Sequence, residues 1–278
     1  LPSGKVNVTV SSNGIDYSVS NAVYEYVDAH HVQSVAPRSG SVSGSTLISI
    51  TGTGFKNTSG LYCRFGALNP IPATYISNTL IQCVSPSNEV GITTVEVTTN
   101  GVDYSEDMVQ FRYFASPAIS HSIPSSGPSE GGTIVSVYGR NFVDSDTLYC
   151  RFGNSTSVLG RWISGDRIEC IAPQMNAGDV VISMSNNGVD YTTTNSTFLV
   201  LPESKVLSVS PLFGPVGTST AVTVHGTGFV FSRSLYCRFG LSAVAAMYVN
   251  ESTVICTAPD LPSGKVNVTV SSNGIDYS

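Results

Sequence analysis

LYCRFG, at residues 61–66, decides the fold, because the chain repeats it at residues 148–153 and 235–240, in two steps of 87 residues. Within each copy, Leu, Cys and Phe alternate with Tyr and Arg. This two-residue period is typical of a β-strand that buries one face. Self-similarity at a fixed step indicates a repeated structural unit. The chain is therefore predicted to be one all-β module copied in tandem.

Three further motifs recur with this strand. They are Pro-x-x-Gly from Pro37, Pro124 and Pro211; Gly-x-x-Phe from Gly52, Gly139 and Gly226; and Asn-Gly-(Ile/Val)-Asp-Tyr from Asn13, Asn100, Asn187 and Asn273. The Asn-Gly step supplies the positive φ that a tight hairpin turn needs. Short alternating segments bounded by such turns predict a β-sandwich in each copy.

The segment before each Asn-Gly turn alternates in the same way. Within residues 5–11 we expect Val6, Val8 and Val10 to face inward and Asn7, Thr9 and Ser11 outward. The equivalent inward residues are Val95 with Val97, then Ile182 with Met184.

A second repeat is nested in the first. Residues 1–18 return unchanged as residues 261–278, a step of 260 residues, although the ordinary module copies have diverged. This identity indicates a three-module unit that is itself repeated. Recent duplication explains it, and so does a long polymer of the unit.

Composition agrees with an extracellular β protein. The chain is 41% hydrophobic and 12% charged, with a formal net charge of −6. This net negative charge does not indicate the basic surface with which proteins bind nucleic acids. No run of 18 apolar residues is present, so we expect no membrane span in this segment.

The six cysteines fall into three pairs with separations of 20, 20 and 19 residues: Cys63 with Cys83, Cys150 with Cys170, and Cys237 with Cys256. Both members of each pair are predicted to face the core. We interpret each pair as a disulfide, worth roughly 3 kcal/mol for a loop of this length. The alternatives are free core cysteines in a reducing compartment and, with less support from the spacing, zinc ligands.

Together these motifs resemble the IPT/TIG domain, an immunoglobulin-like fold shared by plexins, hepatocyte-growth-factor-type receptors and some transcription factors. The resemblance covers nearly the whole chain and includes Ser-x-x-Pro-x-x-Gly at 34–40 and 208–214 and Cys-x-x-Pro from Cys83, Cys170 and Cys256. It implies tandem immunoglobulin-like β-sandwich domains. Because the family spans receptors, accessory modules of enzymes and DNA-binding proteins, it does not fix the function.

The motifs also set the predicted boundaries. Residues 1–28 are the C-terminal hairpin of a preceding IPT-like domain, residues 31–114 and 117–201 are IPT-like domains, and residues 205–278 are an IPT-like domain lacking its last strand. The linkers have two to four residues and contain or adjoin proline. Such linkers limit reorientation, so we expect an elongated, semi-rigid array.

Asn-x-Ser/Thr sequons predict N-glycosylation at Asn7, Asn57, Asn154, Asn195, Asn250 and Asn267. In a secreted protein such a sequon indicates that its asparagine lies on the protein surface. The many exposed Ser and Thr residues leave room for O-linked sugar.

No catalytic constellation is visible, and we predict neither an enzyme nor a bound cofactor or metal. None of the four histidines recurs in all three modules. His30-His31 beside Asp28 could bind a metal, but a polar hinge fits so few ligands better. The aspartates after the Asn-Gly turns lack the spaced oxygen ligands of a calcium loop; they are Asp16, Asp103 and Asp190. Trp162, the single Trp, is either an exposed contact or part of strand packing.

Two function classes remain. The first is a glycosylated structural filament or surface coat, in which copies of the 260-residue unit join head to tail in a linear or helical fibre. The second is an adhesion or receptor ectodomain that binds a protein or carbohydrate partner. The sequence favours the first, with an inter-unit joint formed by the strand of Val19, Val23, Tyr24, Tyr26 and Val27. The third module would receive that strand either from the next unit of the same covalent chain or from a neighbouring chain by strand exchange. Nuclear DNA binding conflicts with the acidity, the cysteine pairs and the sequons.

Overall fold

The structure is a computed structural model that describes residues 3–154, 157–193 and 196–278. The chain divides into two compact units, residues 1–115 and residues 116–278. The described residues form strands, turns and loops, and no helix. None of them therefore belongs to an apolar helix long enough to cross a bilayer.

The first unit opens with an antiparallel hairpin of β1 (Gly4–Asn7) and β2 (Val23–Tyr26), with Gly4 opposite Tyr26 and Asn7 opposite Val23. The first module follows. Its strands are β3 (His31–Ala36), β4 (Ser39–Ser41), β5 (Leu47–Thr53), β6 (Tyr62–Phe65), β7 (Ile71–Pro72), β8 (Thr74–Ser77), β9 (Leu80–Val84), β10 (Gly91–Thr98) and β11 (Val109–Phe114).

These nine strands form two sheets, in the orders β3-β5-β9-β8 and β4-β11-β10-β6-β7. Apolar residues from the inner faces of both sheets make one core. The first module is thus a β-sandwich, and β4 joins β11 in parallel while the other pairs are antiparallel.

The second unit holds two modules. The strands of the second module are β12 (Ala118–Ile123), β13 (Ser126–Pro128), β14 (Ile134–Arg140), β15 (Tyr149–Phe152), β16 (Val158–Leu159), β17 (Arg161–Ser164), β18 (Arg167–Ile171), β19 (Gly178–Ser185) and β20 (Thr197–Leu201). They repeat the same two sheets, β12-β14-β18-β17 and β13-β20-β19-β15-β16.

The third module contains β21 (Lys205–Ser210), β22 (Ala221–Thr227), β23 (Tyr236–Phe239), β24 (Ser242–Asn250), β25 (Thr253–Thr257) and β26 (Val268–Ser271). The long β24 pairs with β23 through its first half and with β25 through its second. It therefore links the two layers in one continuous order, β21-β22-β25-β24-β23-β26. Within the described part of this module, β26 has β23 as its one strand partner.

The inward face predicted for the LYCRFG strand is confirmed in all three modules. Leu61, Cys63 and Phe65 are buried, and so are their counterparts in the other modules. Three disulfides join Cys63 to Cys83, Cys150 to Cys170, and Cys237 to Cys256, with Cα–Cα distances of 6.5, 6.3 and 6.2 Å. Each disulfide links one sheet layer to the other, because its two cysteines lie on strands of different layers.

The recurrent glycines lie where a side chain has no room. A Cβ on Gly52 would overlap the carbonyl oxygen of His31 and lie 2.6 Å from the ring of the buried Phe55. The same overlap recurs at Gly139 with Ala118 and at Gly226 with Lys205. The Gly-x-x-Phe motif thus lets the first strand of each module approach the second closely while Phe fills the core beside them.

The strand predicted over residues 5–11 differs from the structure. Strand pairing in the first copy covers Gly4–Asn7 alone, and Val6, Val8 and Val10 are exposed. In the identical second copy, Val268–Ser271 form the strand and Val270 is fully buried. The cause is the available partner: the first copy pairs with β2, whereas the second pairs with β23 over a core.

Candidate interaction surfaces and module turns

A guanidinium stacked on a tyrosine ring links two motifs in every module. Arg64 lies over Tyr104 at 3.8 Å, Arg151 over Tyr191 at 4.0 Å, and Arg238 over Tyr277 at 4.0 Å. The arginine comes from the LYCRFG strand and the tyrosine from the Asn-Gly-x-Asp-Tyr turn. This stacking packs each turn against its own sheet.

The Asn-Gly-x-Asp turns share one hydrogen-bond pattern. In the first copy, Asn13 Oδ1 accepts the backbone N–H groups of Ile15 (2.9 Å) and Asp16 (2.8 Å), and Asn13 Nδ2 donates to Asp16 Oδ2 at 2.8 Å. Gly14 takes a φ of 75°, in the left-handed region that glycine favours. The turn is therefore held by its own side chains, and the copies at Asn100, Asn187 and Asn273 repeat it.

This hydrogen-bond pattern already engages the aspartates that a calcium site would have used. Asp16, Asp103 and Asp190 each accept a hydrogen bond from the asparagine three residues earlier. Among the described residues, no group of three or more His, Cys, Asp or Glu side chains is arranged to hold a metal ion.

His30 and His31 have separate partners. The His30 Nε2 atom lies 2.8 Å from the Val97 carbonyl oxygen, and His31 Nδ1 lies 3.0 Å from Asp107 Oδ1. Asp107 also accepts the Val32 N–H at 2.6 Å. Burial raises the pKa of the Asp107 carboxyl, but the Val32 N–H and His31 outweigh it and hold that pKa below its ordinary value of 3.8. These contacts favour the polar-hinge interpretation of the two histidines.

Tyr113 fixes the last strand of the first module. Its hydroxyl donates to the Pro86 carbonyl oxygen at 3.0 Å, and its ring is buried. Burial raises the pKa of Tyr113 to about 12. Sequence reasoning did not single out this residue. Its one signal was the alternation of Phe111 and Tyr113 in the last strand.

Trp162 is exposed on β17, and its indole N–H donates to the Phe142 carbonyl oxygen at 3.2 Å. The two interpretations of Trp162 therefore each hold in part. The indole nitrogen is bound within the module, while 38% of the residue remains exposed.

The sequon asparagines lie on the surface wherever they are described. Asn7, Asn57, Asn154, Asn250 and Asn267 are all exposed. Asn195 lies outside the described residues. Asn250 begins a turn in which its Oδ1 accepts the Ser252 N–H and hydroxyl, each at 2.9 Å. Every described acceptor is therefore open to a bulky modification.

The residues predicted for the inter-unit joint are also exposed. Tyr24 and Tyr26 occupy the positions that the buried Phe111 and Tyr113 hold in the first module, with their rings 5.0 Å apart in a T-shaped contact. The remaining three are Val19, Val23 and Val27. In the structure Val23–Tyr26 pair with β1, in the register that β11 keeps with β10.

Beside this hairpin, the first unit has a groove of about 760 Å³. Aromatic and charged side chains share its lining, among them Tyr24, Tyr26, His31, Lys56, Asp103 and Glu106. Lys56 Nζ lies 3.4 Å from Glu25 Oε1, an exposed pair of modest energy. Such a mixed lining can recognise a polar partner with an apolar face.

Disulfide-closed sandwiches with exposed sequons define a class of extracellular, immunoglobulin-like tandem protein. The model of the IPT/TIG domain matches residues 31–113, 117–200 and 204–278, so the chain belongs to the IPT/TIG family. The resemblance noted from the motifs is thereby confirmed, and the matched ranges give three modules.

Among curated proteins, the chain is similar to mouse fibrocystin-L, with 26% identity over 247 residues, covering 86% of this chain and 6% of that protein. It is similar to mouse plexin-A3 with 24% identity over 253 residues, covering 83% of this chain and 13% of that protein. The chain spans a small part of the length of these relatives.

Among solved structures, the full extracellular region of plexin A4 covers 89% of this chain, with 16% identity and a TM-score of 0.45, and 23% of that chain is matched. The three disulfides and the similarity to fibrocystin-L and plexin-A3 place the chain outside the cell or at the cell surface.

Proposed function

We propose that the chain is a segment of an adhesion or receptor ectodomain that binds a protein or carbohydrate partner without catalysis. The observation that carries this proposal is the membership of all three modules in a family whose matched relatives are fibrocystin-L and plexins. The disulfides support an oxidising compartment, and the exposed sequon asparagines support a glycosylated surface.

The groove beside the hairpin is the proposed contact surface. From the complete first module it is lined by Lys56, Asp103 and Glu106. These side chains offer charges of both signs, which suits recognition of a polar protein surface or a sugar.

The test begins with the whole chain secreted from eukaryotic cells. We expect no free thiol without reduction, and an enzymatic release of N-glycans that lowers the mass. Free thiols in secreted protein, or bare asparagines at all the sequons, would contradict the extracellular proposal.

Binding is then measured on glycan arrays and on a panel of cells, for the wild type and for Lys56→Ala with Glu106→Ala. We expect the double variant to bind more weakly. Lys265→Ala with Glu251→Ala is the matched control, because both residues are exposed and lie in another unit. Equal binding by wild type and double variant would exclude the groove as the contact surface.

A structural filament is the second candidate, and the 18-residue identity at a step of 260 residues favours it. In that arrangement, a strand like Val19–Val27 would complete the third module by pairing with residues 264–267, as β2 pairs with Gly4–Asn7. The relatives favour the receptor role over this one. Electron microscopy of the native protein distinguishes them, since thin fibres support the filament and separate particles of a few modules exclude it.

A further inference from the structure

The Asn-Gly-x-Asp turn of the third module does more than close its own hairpin. Asn273 Nδ2 donates to the Ser126 carbonyl oxygen of the second module at 2.8 Å. Thr133 Oγ1, also in the second module, donates to Asp276 Oδ2 at 2.7 Å. These two bonds join residues 143 and 147 positions apart in the chain.

Thr133 is presented to the turn by its own module. Thr133 is 1% exposed. Its hydroxyl lies so close to Gly127 that a Cβ on that glycine would overlap it. Gly127 belongs to the Pro-x-x-Gly motif, so the motif glycine leaves room for this hydroxyl. Because Asp276 carries a carboxylate, the bond from Thr133 is charge-assisted and stronger than one between neutral groups.

The turn has its docking shape before it docks. The copy at Asn13–Asp16 has the same internal hydrogen bonds, although all four of its residues are exposed. At Asn273–Asp276 the amide that donates to Asp276 (2.7 Å) also donates to Ser126. A contact surface that is already ordered loses little conformational freedom on association.

We propose that the Asn-Gly-x-Asp turn is a docking element between IPT modules, and that Ser126 and Thr133 form its receptor surface on the second module. The partner that fits this surface is therefore the turn of the following module. Docking adds these two hydrogen bonds to the covalent connection at residues 202–204, where Glu203 and Ser204 line the same groove as Asp276. The second and third modules then behave as one rigid body, because they are joined by both the linker and the docked turn.

The test measures the distance between spin labels on the two modules of the whole chain. Label sites are Leu159→Cys and Leu241→Cys, which are 63% and 98% exposed on the second and third modules. Electron spin resonance of the otherwise wild-type chain is expected to give one narrow distance peak. Thr133→Val and Asp276→Ala are each expected to lose that peak and give a broad distribution, while Thr133→Ser keeps it.

Thr220→Val is the matched control, since Thr220 is the counterpart of Thr133 in the third module and its hydroxyl contacts Thr218. It is expected to keep the narrow peak. The double variant Thr133→Val with Asp276→Ala is expected to be no broader than the single variants, because both remove the same bond. A narrow peak in both single variants, with circular dichroism showing that they are folded, would overturn the proposal, and so would a broad distribution in the wild type.

Discussion

The guanidinium of Arg64 lies 3.8 Å from the centre of the Tyr104 ring, while its Nε donates to Glu96 Oε2 at 2.8 Å. Glu96 lies on β10, beside the arginine strand β6, and Tyr104 follows the turn after β10. One arginine thus holds both the neighbouring strand and the turn that leaves it.

Removing the ring should loosen this turn. For Tyr104→Leu we expect a loss of about 1 kcal/mol in the free energy of unfolding, the size of a partly exposed cation–π contact. Urea denaturation measures this loss in free energy when unfolding is monitored by a circular dichroism signal that does not depend on tyrosine. Tyr17→Leu is the control, since Tyr17 has the same place in the motif but is 62% exposed, and it should change the value little. Equal losses in the two variants would contradict the role of the arginine.

The glycine of Gly-x-x-Phe should tolerate no side chain. Gly139→Ala would force a Cβ against the Ala118 carbonyl oxygen and the Phe142 ring. We expect a loss of about 1–3 kcal/mol, typical of overpacking, visible as a lower thermal midpoint. In Gly264→Ala the new methyl group meets nothing within 4 Å, so its midpoint should stay close to the wild type. A stable Gly139→Ala variant would show that the two strands can separate.

Tyr113 should make stability depend on alkaline pH. Its folded pKa, raised by burial to about 12, lies above the ordinary value of 10.0. Its contribution is therefore fully present below pH 10 and is lost as pH rises from there toward 12. Tyr113→Phe also lacks the bond to Pro86, which costs about 1 kcal/mol at neutral pH. We expect the stability advantage of the wild type over this variant to shrink above pH 10 in denaturation series, and a constant difference would refute the assignment.

Asp107 should make the stability of the protein depend on pH in the acidic range. Its folded pKa is lowered below 3.8, so its contribution is present above that value and is lost as pH falls through the folded pKa. Asp107→Asn removes the titrating group at the hinge. We expect the wild type to be more stable than this variant at neutral pH, and the two to converge below pH 3.8. Glu106→Gln is the control for a general charge effect, because Glu106 is exposed beside Asp107, and matching profiles for both variants would count against a specific role of Asp107.

Much of the fold could be predicted because side-chain alternation and motif spacing are local properties. Leu61, Cys63 and Phe65 face the core as the two-residue period predicts, and the disulfides join the cysteines that the spacing pairs. The docking contact of Thr133 with Asp276 could not be predicted in this way. It joins residues of two different modules, and no periodicity within one module reports on it.

The sequence by itself determined the module, its period, its buried faces and the shape of its turns, because hydrogen bonds within four residues hold each Asn-Gly-x-Asp turn wherever it lies. The tertiary structure alone decided which residues of different modules meet. Asn273 and Asp276 contact Ser126 and Thr133 of the module before them. These partners are 147 and 143 positions apart in the chain, and a pattern that extends over a few residues cannot specify a contact over such a separation.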